Sequence, residues 1–142
     1  MKSAAVTPRA KSQSKLTKEE WREYTKTVWH IANTSHPEHP ATFAPEVPTR
    51  LIKLFSFVGE TVLDPFAGVG TTAITALALR RRAIAVDQNP HYLKLLLGQL
   101  ESNAKPEADS LTVIRGDSRQ LPQIENDSIP LIVTSPPYWN KA

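Results

Sequence analysis

Four short apolar runs punctuate this chain, and each stops at a chemically distinctive residue. Thr61-Val62-Leu63 runs into Asp64 and Ala83-Ile84-Ala85-Val86 into Asp87. Leu111-Thr112-Val113-Ile114 leads to Asp117, and Ile129-Pro130-Leu131-Ile132-Val133 leads to Ser135. Uninterrupted apolar runs of this length suit strands buried on both faces, which is the condition of a parallel sheet covered by helices. The intervening sequence agrees: Thr71 to Leu79 and Pro90 to about Leu100 read as helices, so the order is βαβα. In an open parallel sheet, ligands bind beyond the carboxyl ends of the strands. Asp64, Asp87, Asp117 and Ser135 therefore stand where such a fold does its chemistry.

Length allows one domain with its own core, and 142 residues leave no room for a separate target-reading module. Hydrophobic content of 40% and charged content of 22% are those of an ordinary globular chain, and no apolar run approaches a bilayer span. No apolar stretch follows Lys2, so a secretory signal is not expected. The absence of cysteine excludes disulfides and thiolate metal sites. A cytoplasmic setting is the expectation. A formal charge of +3 permits a polyanionic partner without demanding one.

Residues 1–15 carry Lys2, Arg9, Lys11 and Lys15, no acid and few apolar side chains, and are expected to form a disordered basic tail ahead of a domain over 16–142. Thr17 and Glu20 have capping-box spacing, and Trp21, Tyr24, Val28 and Ile31 recur at helical intervals, predicting a helix whose aromatics pack. From Pro45, the spacing of Val47, Leu51, Leu54 and Phe55 predicts a second helix, with Gly59 placed to end the segment. In His36-Pro37-Glu38-His39-Pro40 the prolines favour an extended loop and no third ligand is evident, so no metal site is expected.

Asp64-Pro65-Phe66-Ala67-Gly68-Val69-Gly70-Thr71-Thr72 joins the first strand to the first helix of the sheet. Gly68 and Gly70 present no Cβ, so a ligand can approach the backbone there. Gly68, Gly70 and Ala73, with Asp87 about twenty residues on, satisfy a relaxed dinucleotide fingerprint, and on these residues nicotinamide and S-adenosylmethionine both remain open. No Gly-Lys-Ser or Gly-Lys-Thr follows, which excludes a P-loop. Asp64 tips the balance, because a strand-end carboxylate accepts the ammonium of S-adenosylmethionine and repels a pyrophosphate.

Thr134-Ser135-Pro136-Pro137-Tyr138-Trp139 follows the fourth run. Two prolines fix the backbone and leave their carbonyls without competing local donors, which makes rigid acceptors. The exocyclic amine of cytosine or adenine is a poor nucleophile because its lone pair is delocalised into the ring. If Ser135 and the Pro136 carbonyl accept its two hydrogens, density returns to nitrogen for in-line attack on a sulfonium methyl. Methylation at cytosine C5 uses a cysteine nucleophile, which this chain lacks.

Together the two motifs resemble the cofactor and catalytic motifs of the amino DNA methyltransferases, and the resemblance runs from about Trp21 to Trp139. It implies an α/β, Rossmann-like class I methyltransferase fold, a parallel sheet flanked by helices. It also implies S-adenosyl-L-methionine as cofactor and double-stranded DNA as partner, within a restriction-modification system. The implied cofactor contacts are Asp64, Phe66, Ala67, Gly68, Gly70 and Thr71, with Asp87 on the ribose hydroxyls and Asp117 on the adenine amino group. Upstream, His39 to Glu46 is similar to the family segment that folds over the methionine end, which assigns Thr42 and Phe43. The implied catalytic residues are Ser135, Pro136, Pro137 and Tyr138, the tyrosine stacking on a flipped base with Trp139 beside it.

Family members with Ser at the first position of this motif mostly methylate cytosine N4, and those with Asp mostly adenine N6. Cytosine N4 is thus the expectation and adenine N6 the alternative. In this motif order the remaining strands and the target-recognition region follow the catalytic motif. The sheet is therefore expected to lack its C-terminal strands and to need a companion polypeptide or further sequence. An inactive S-adenosylmethionine-binding remnant is a rival reading, although none of Asp64, Gly68, Gly70, Asp87 or Ser135 is broken. A nicotinamide oxidoreductase leaves Ser135 to Tyr138 unexplained.

Overall fold

The computed structural model describes residues 5–32, 43–103 and 105–137. Two short helices, α1 (Pro8–Gln13) and α2 (Lys18–Tyr24), precede α3 (Glu46–Phe55). The sheet region then follows as β1 (Thr61–Asp64), α4 (Thr71–Ala78), β2 (Arg82–Asp87), α5 (Pro90–Asn103), β3 (Leu111–Arg115) and β4 (Leu131–Ile132). The four strands pair in parallel in the order β3-β2-β1-β4. Every apolar run of the sequence thus becomes a strand, although β4 keeps only Leu131 and Ile132 of its run. Pro130 has no N–H to donate to a ladder, which fits its place just before the paired residues.

Alternation along the strands sorts the core into two faces. Val62, Ala83 and Ala85 join Ile52 of α3, Ala73 and Ala76 of α4, and Leu96 and Leu100 of α5. Alanine on both sides of the α4–sheet contact lets the helix lie close. On the other face Leu63, Val86 and Ile114 are buried under Ile84, Leu121, Ile124 and Ile129. Three of those covering residues come from the connection between β3 and β4, which serves as the lid of that face in place of a helix.

Three expectations need correction. The basic tail is not disordered throughout: α1 forms because Thr7 Oγ1 accepts from the Ala10 N–H at 3.1 Å and Pro8 occupies the first turn, where its missing N–H costs nothing. Ser14 then receives the Val58 N–H at 2.7 Å, tying the segment to the turn before β1. The helix expected through Ile31 ends at Tyr24 instead, although its Thr17–Glu20 capping box forms with both bonds at 3.0 Å. The Thr25 hydroxyl donates to the Trp21 carbonyl and the Trp29 indole to the Tyr24 carbonyl, competing with continuation of the helix. Trp21 does not pack into a core but stands 60% exposed.

The third correction concerns α3, which buries Pro48, Arg50 and Ile52 and leaves Phe55 exposed, a face rotated from the expected one. Arg50 explains the rotation. Its guanidinium lies 5.2 Å from the ring centres of both Tyr24 and Trp29, and its Nε donates to Glu46 at 2.9 Å. A second ion pair, Lys53 with Glu20, fastens α2 to α3. His36 and His39 lie outside the described residues.

Candidate active site

β1 ends at Asp64, which is 3% exposed. Its Oδ1 accepts the Phe66 N–H at 3.0 Å and the Thr134 hydroxyl at 2.7 Å. Burial pushes its pKa up, a tendency opposed by those two bonds and by the nearby Thr72 hydroxyl, while the charge of Asp87 adds to the rise. The Thr72 hydroxyl is itself buried and makes no hydrogen bond of good geometry, so it lies near Asp64 without capping it. A buried carboxylate next to an orphan hydroxyl is an environment that a cationic, hydrogen-bonding ligand group would complete.

The turn after β1 is held on three sides. The Ala67 N–H donates to the Val86 carbonyl at 2.8 Å, and the Gly68 N–H to Asp87 Oδ2 at 2.9 Å. Gly68 and Gly70 adopt φ of 53° and 92°, which favours glycine at both. A Cβ on Gly70 would lie 2.3 Å from Leu96 Cδ1, so α5 packs directly against the turn. From the same helix, Gln99 donates to the Val69 carbonyl at 2.9 Å. Thr71 begins α4, and its carbonyl accepts the Thr75 hydroxyl at 2.8 Å.

Asp87 ends β2 with its Oδ1 accepting the Asn89 N–H at 2.8 Å. Past β3, the Gly116 N–H returns to the Asp87 carbonyl at 3.1 Å. Asp117 is engaged by Arg119, whose side chain reaches Oδ2 at 2.5 Å and whose N–H reaches Oδ1 at 2.9 Å; these contacts hold its pKa down to about 2. Ser118 donates to the Pro65 carbonyl, joining the β3 and β1 loops. On the far side of β1, the Val133 N–H donates to Leu63 at 3.1 Å, and the chain continues through Thr134 to half-buried Ser135 and exposed Pro136 and Pro137.

The sites assigned from sequence thus converge on one end of the sheet: Asp64, Phe66, Ala67, Gly68 and Gly70 after β1, Asp87 after β2, Asp117 after β3 and Ser135 to Pro137 after β4. Phe43 packs against the core cluster that contains Ala67. Thr42, Tyr138 and Trp139 lie outside the described residues. Sequence reasoning gave no role to Thr134, although it opens the quoted catalytic motif, nor to Leu96, Gln99 and Arg119; all four act on the assigned residues. A groove of about 890 Å³ between α2 and the end of α3 contains none of the assigned residues. Nor does one of about 660 Å³ at the amino-terminal ends of the strands. Strand-end chemistry, not depth, locates the candidate site. Among the described residues no group of His, Asp and Glu is arranged to hold a metal, and no helix is long and apolar enough to cross a membrane.

Comparison with known proteins gives this geometry a family. The type II methyltransferase M.BglI of Bacillus subtilis is 41% identical over 85 residues, 58% of this chain and 24% of that protein. The DNA adenine methyltransferase YhdJ of Escherichia coli is 32% identical over 80 residues, 56% of this chain and 27% of that protein. The chain therefore spans about a quarter of the length of these curated relatives. Among solved structures, TTHA0409 of Thermus thermophilus, complexed with S-adenosyl-L-methionine, superposes with a TM-score of 0.64 at 34% identity over 80% of this chain and 44% of that one. The family model of N6/N4 DNA methylases matches residues 2–97, and with its Rossmann-like parallel sheet the chain belongs to the amino DNA methyltransferase family.

Proposed function

We propose that this chain supplies the cofactor-binding and catalytic part of a DNA methyltransferase that uses S-adenosyl-L-methionine to methylate cytosine N4 in double-stranded DNA. The observation that carries the reading is the convergence of Asp64, Asp87, Asp117 and Ser135 at one end of a parallel sheet, with the β1 and β4 loops joined through Asp64 and Thr134. The donor set fits the cofactor. Asp64 offers a buried carboxylate for the ammonium, Asp87 offers acceptors for ribose hydroxyls, and the backbone at Gly68 and Gly70 leaves room for close approach. The cofactor brings the electrophilic sulfonium methyl. Residues of this chain prepare the nucleophile: Ser135 and the Pro136 carbonyl accept the two amine hydrogens, and Pro137 keeps the loop rigid. Transfer to that nitrogen would leave the electron pair of the broken sulfur–carbon bond on the cofactor's sulfur, and the amine held by Ser135 and Pro136 would release one proton to solvent. Tyr138 stacks on the extruded base, Thr42 and Phe43 close over the methionine end, and Thr71 flanks the turn.

Serine at the first position of the catalytic motif supports cytosine. The likeness to an adenine methyltransferase supports a second reading, adenine N6, on the same site. A companion polypeptide or further sequence would bring the remaining strands and the target-recognition element, in a prokaryotic cytoplasm and paired with a restriction enzyme. The test is nucleoside mass analysis of DNA from cells that express this chain with the coding sequence adjoining it in its source genome. N4-methylcytosine is expected, abolished by Ser135→Ala. N6-methyladenine alone would move the base assignment, and no methylated base of either kind would remove the catalytic reading.

A further inference from the structure

β4 is held to the sheet by a short ladder. Leu131 and Ile132 pair with Val62 and Leu63, and the last backbone bond runs from the Val133 N–H to Leu63. Ile132 is 56% exposed, so little packing restrains this strand on that side. One further tie lies between the ladder and Ser135, the bond from the Thr134 hydroxyl to Asp64. Both described hydrogen bonds to Asp64 fall on the same oxygen, Oδ1, one from the cofactor turn at Phe66 and one from the catalytic loop at Thr134. A single carboxylate oxygen has two lone pairs and accepts both, which leaves Oδ2 for a ligand.

We propose that Thr134 is a positioning residue that fixes the catalytic loop to the carboxylate receiving the cofactor's ammonium, so that filling the cofactor site orders the loop carrying Ser135. The proposal rests on the cofactor reading given above. When an ammonium occupies Oδ2, the Asp64 carboxylate is held charged and fixed in orientation, so Oδ1 stays in place as a charged acceptor for Thr134, which makes a shorter and stronger hydrogen bond than a neutral carboxyl would. Thr134 passes that gain to the adjacent residue. A hydroxyl that merely satisfied a buried acid would stabilise the fold but carry no signal from ligand to loop.

Hydrogen exchange read by mass spectrometry on the full chain separates these roles through the peptide Ile132–Trp139, whose prolines lack amide hydrogens. S-adenosylhomocysteine, which carries the amino acid arm, should slow exchange in this peptide by about tenfold, the equivalent of one charge-assisted hydrogen bond. 5′-Methylthioadenosine, which lacks the arm, should leave it unchanged. In Thr134→Val the response to S-adenosylhomocysteine should vanish while binding persists by calorimetry, and Thr134→Ser should restore it. A loop response that survives in Thr134→Val overturns the proposal and leaves the cofactor reading intact. Failure of the parent to bind S-adenosylhomocysteine overturns the cofactor reading and this proposal together. If Thr134→Val melts early, the comparison of the two ligands on the parent still decides, because equal loop protection by both excludes a route through Asp64.

Discussion

The Gly68 N–H donates to Asp87 Oδ2 at 2.9 Å, so the glycine turn after β1 and the acid that ends β2 form one rigid corner. Asp87 also accepts from Asn89 through its other oxygen, yet each carboxylate oxygen retains a lone pair for a ribose hydroxyl. Asp87→Ala should weaken S-adenosylmethionine binding by at least about tenfold, because each charge-assisted bond is worth roughly 1.5–3 kcal/mol. Calorimetry giving equal affinities would remove Asp87 from the cofactor site.

Gly70 combines a left-handed backbone with contact against Leu96, so Gly70→Ala meets two penalties. Strained φ and overpacking together should cost about 2–4 kcal/mol in denaturant unfolding. In a Leu96→Ala background, taken with its own cavity cost as the reference, Gly70→Ala should cost less, since the clash is removed while the φ strain remains. An undiminished loss in that background would place the whole cost in the backbone.

The strands were legible because a sheet covered on both faces leaves continuous apolar runs, and the strand-end acids were legible because motif and strand end coincide. What was hidden is what depends on tertiary approach. Thr134 meets Asp64 across 70 positions of sequence, and no local pattern marks the threonine before Ser135 as a partner of the cofactor strand. Leu96 reads as an ordinary core residue of α5, and only the fold shows that it decides the residue at position 70. The length of α2 was overread for a related reason: Val28 and Ile31 keep helical spacing, but the Thr25 hydroxyl and the Trp29 indole take the carbonyls at the helix end.

Asp64 carries a pH dependence whose sign follows from its cause. Burial raises its folded pKa above the unfolded value of 3.8, so its stabilising contribution is complete below 3.8 and is lost as pH rises through the folded pKa. Asp64→Asn should therefore melt no lower than the parent at pH 8 and lose the decline with rising pH. Its amide oxygen can keep the bonds from Phe66 and Thr134, and its NH2 can donate to the unpartnered Thr72 hydroxyl. The same variant should bind S-adenosylmethionine at least about tenfold more weakly, having lost a charge-assisted contact. Lower melting at every pH would show that the carboxylate stabilises the fold in its charged form.

Asp117 behaves in the opposite sense, because Arg119 lowers its pKa to about 2. Its contribution is present above 3.8 and lost as pH falls toward 2, but both groups are exposed and salt screens the pair. Arg119→Gln should return the Asp117 carboxyl toward the ordinary aspartate range in an NMR titration and leave the melting temperature unchanged. It should also free Asp117 for an adenine amino group, so S-adenosylmethionine affinity should hold or rise. A drop in affinity would make Arg119 part of the cofactor site.

β4 has β1 as its neighbour and no other strand among the described residues, and its exposed Ile132 is an apolar side chain on an open edge. An open edge presents unpaired N–H and C=O groups, a template for pairing with another chain, and lysine on the edge is a common protection. Pro130 blunts the entry to the strand, but no charged side chain guards Leu131 and Ile132, whose other neighbour is Val133. Purified alone, the chain should self-associate, with sedimentation that depends on concentration. Ile132→Lys should weaken that association by about tenfold or more, the equivalent of at least about 1.4 kcal/mol, without lowering the melting temperature, since the side chain it replaces is already in solvent. The same edge bears on activity. Holding a duplex while a base is extruded takes several phosphate contacts, and the loop after β4 offers no arginine or lysine between Val133 and Trp139 to make them. Duplex DNA incubated with this chain and S-adenosylmethionine should therefore remain unmethylated until a partner covers β4 and supplies those contacts. A monomer that methylates a defined duplex site unaided would show that β4 needs no neighbour.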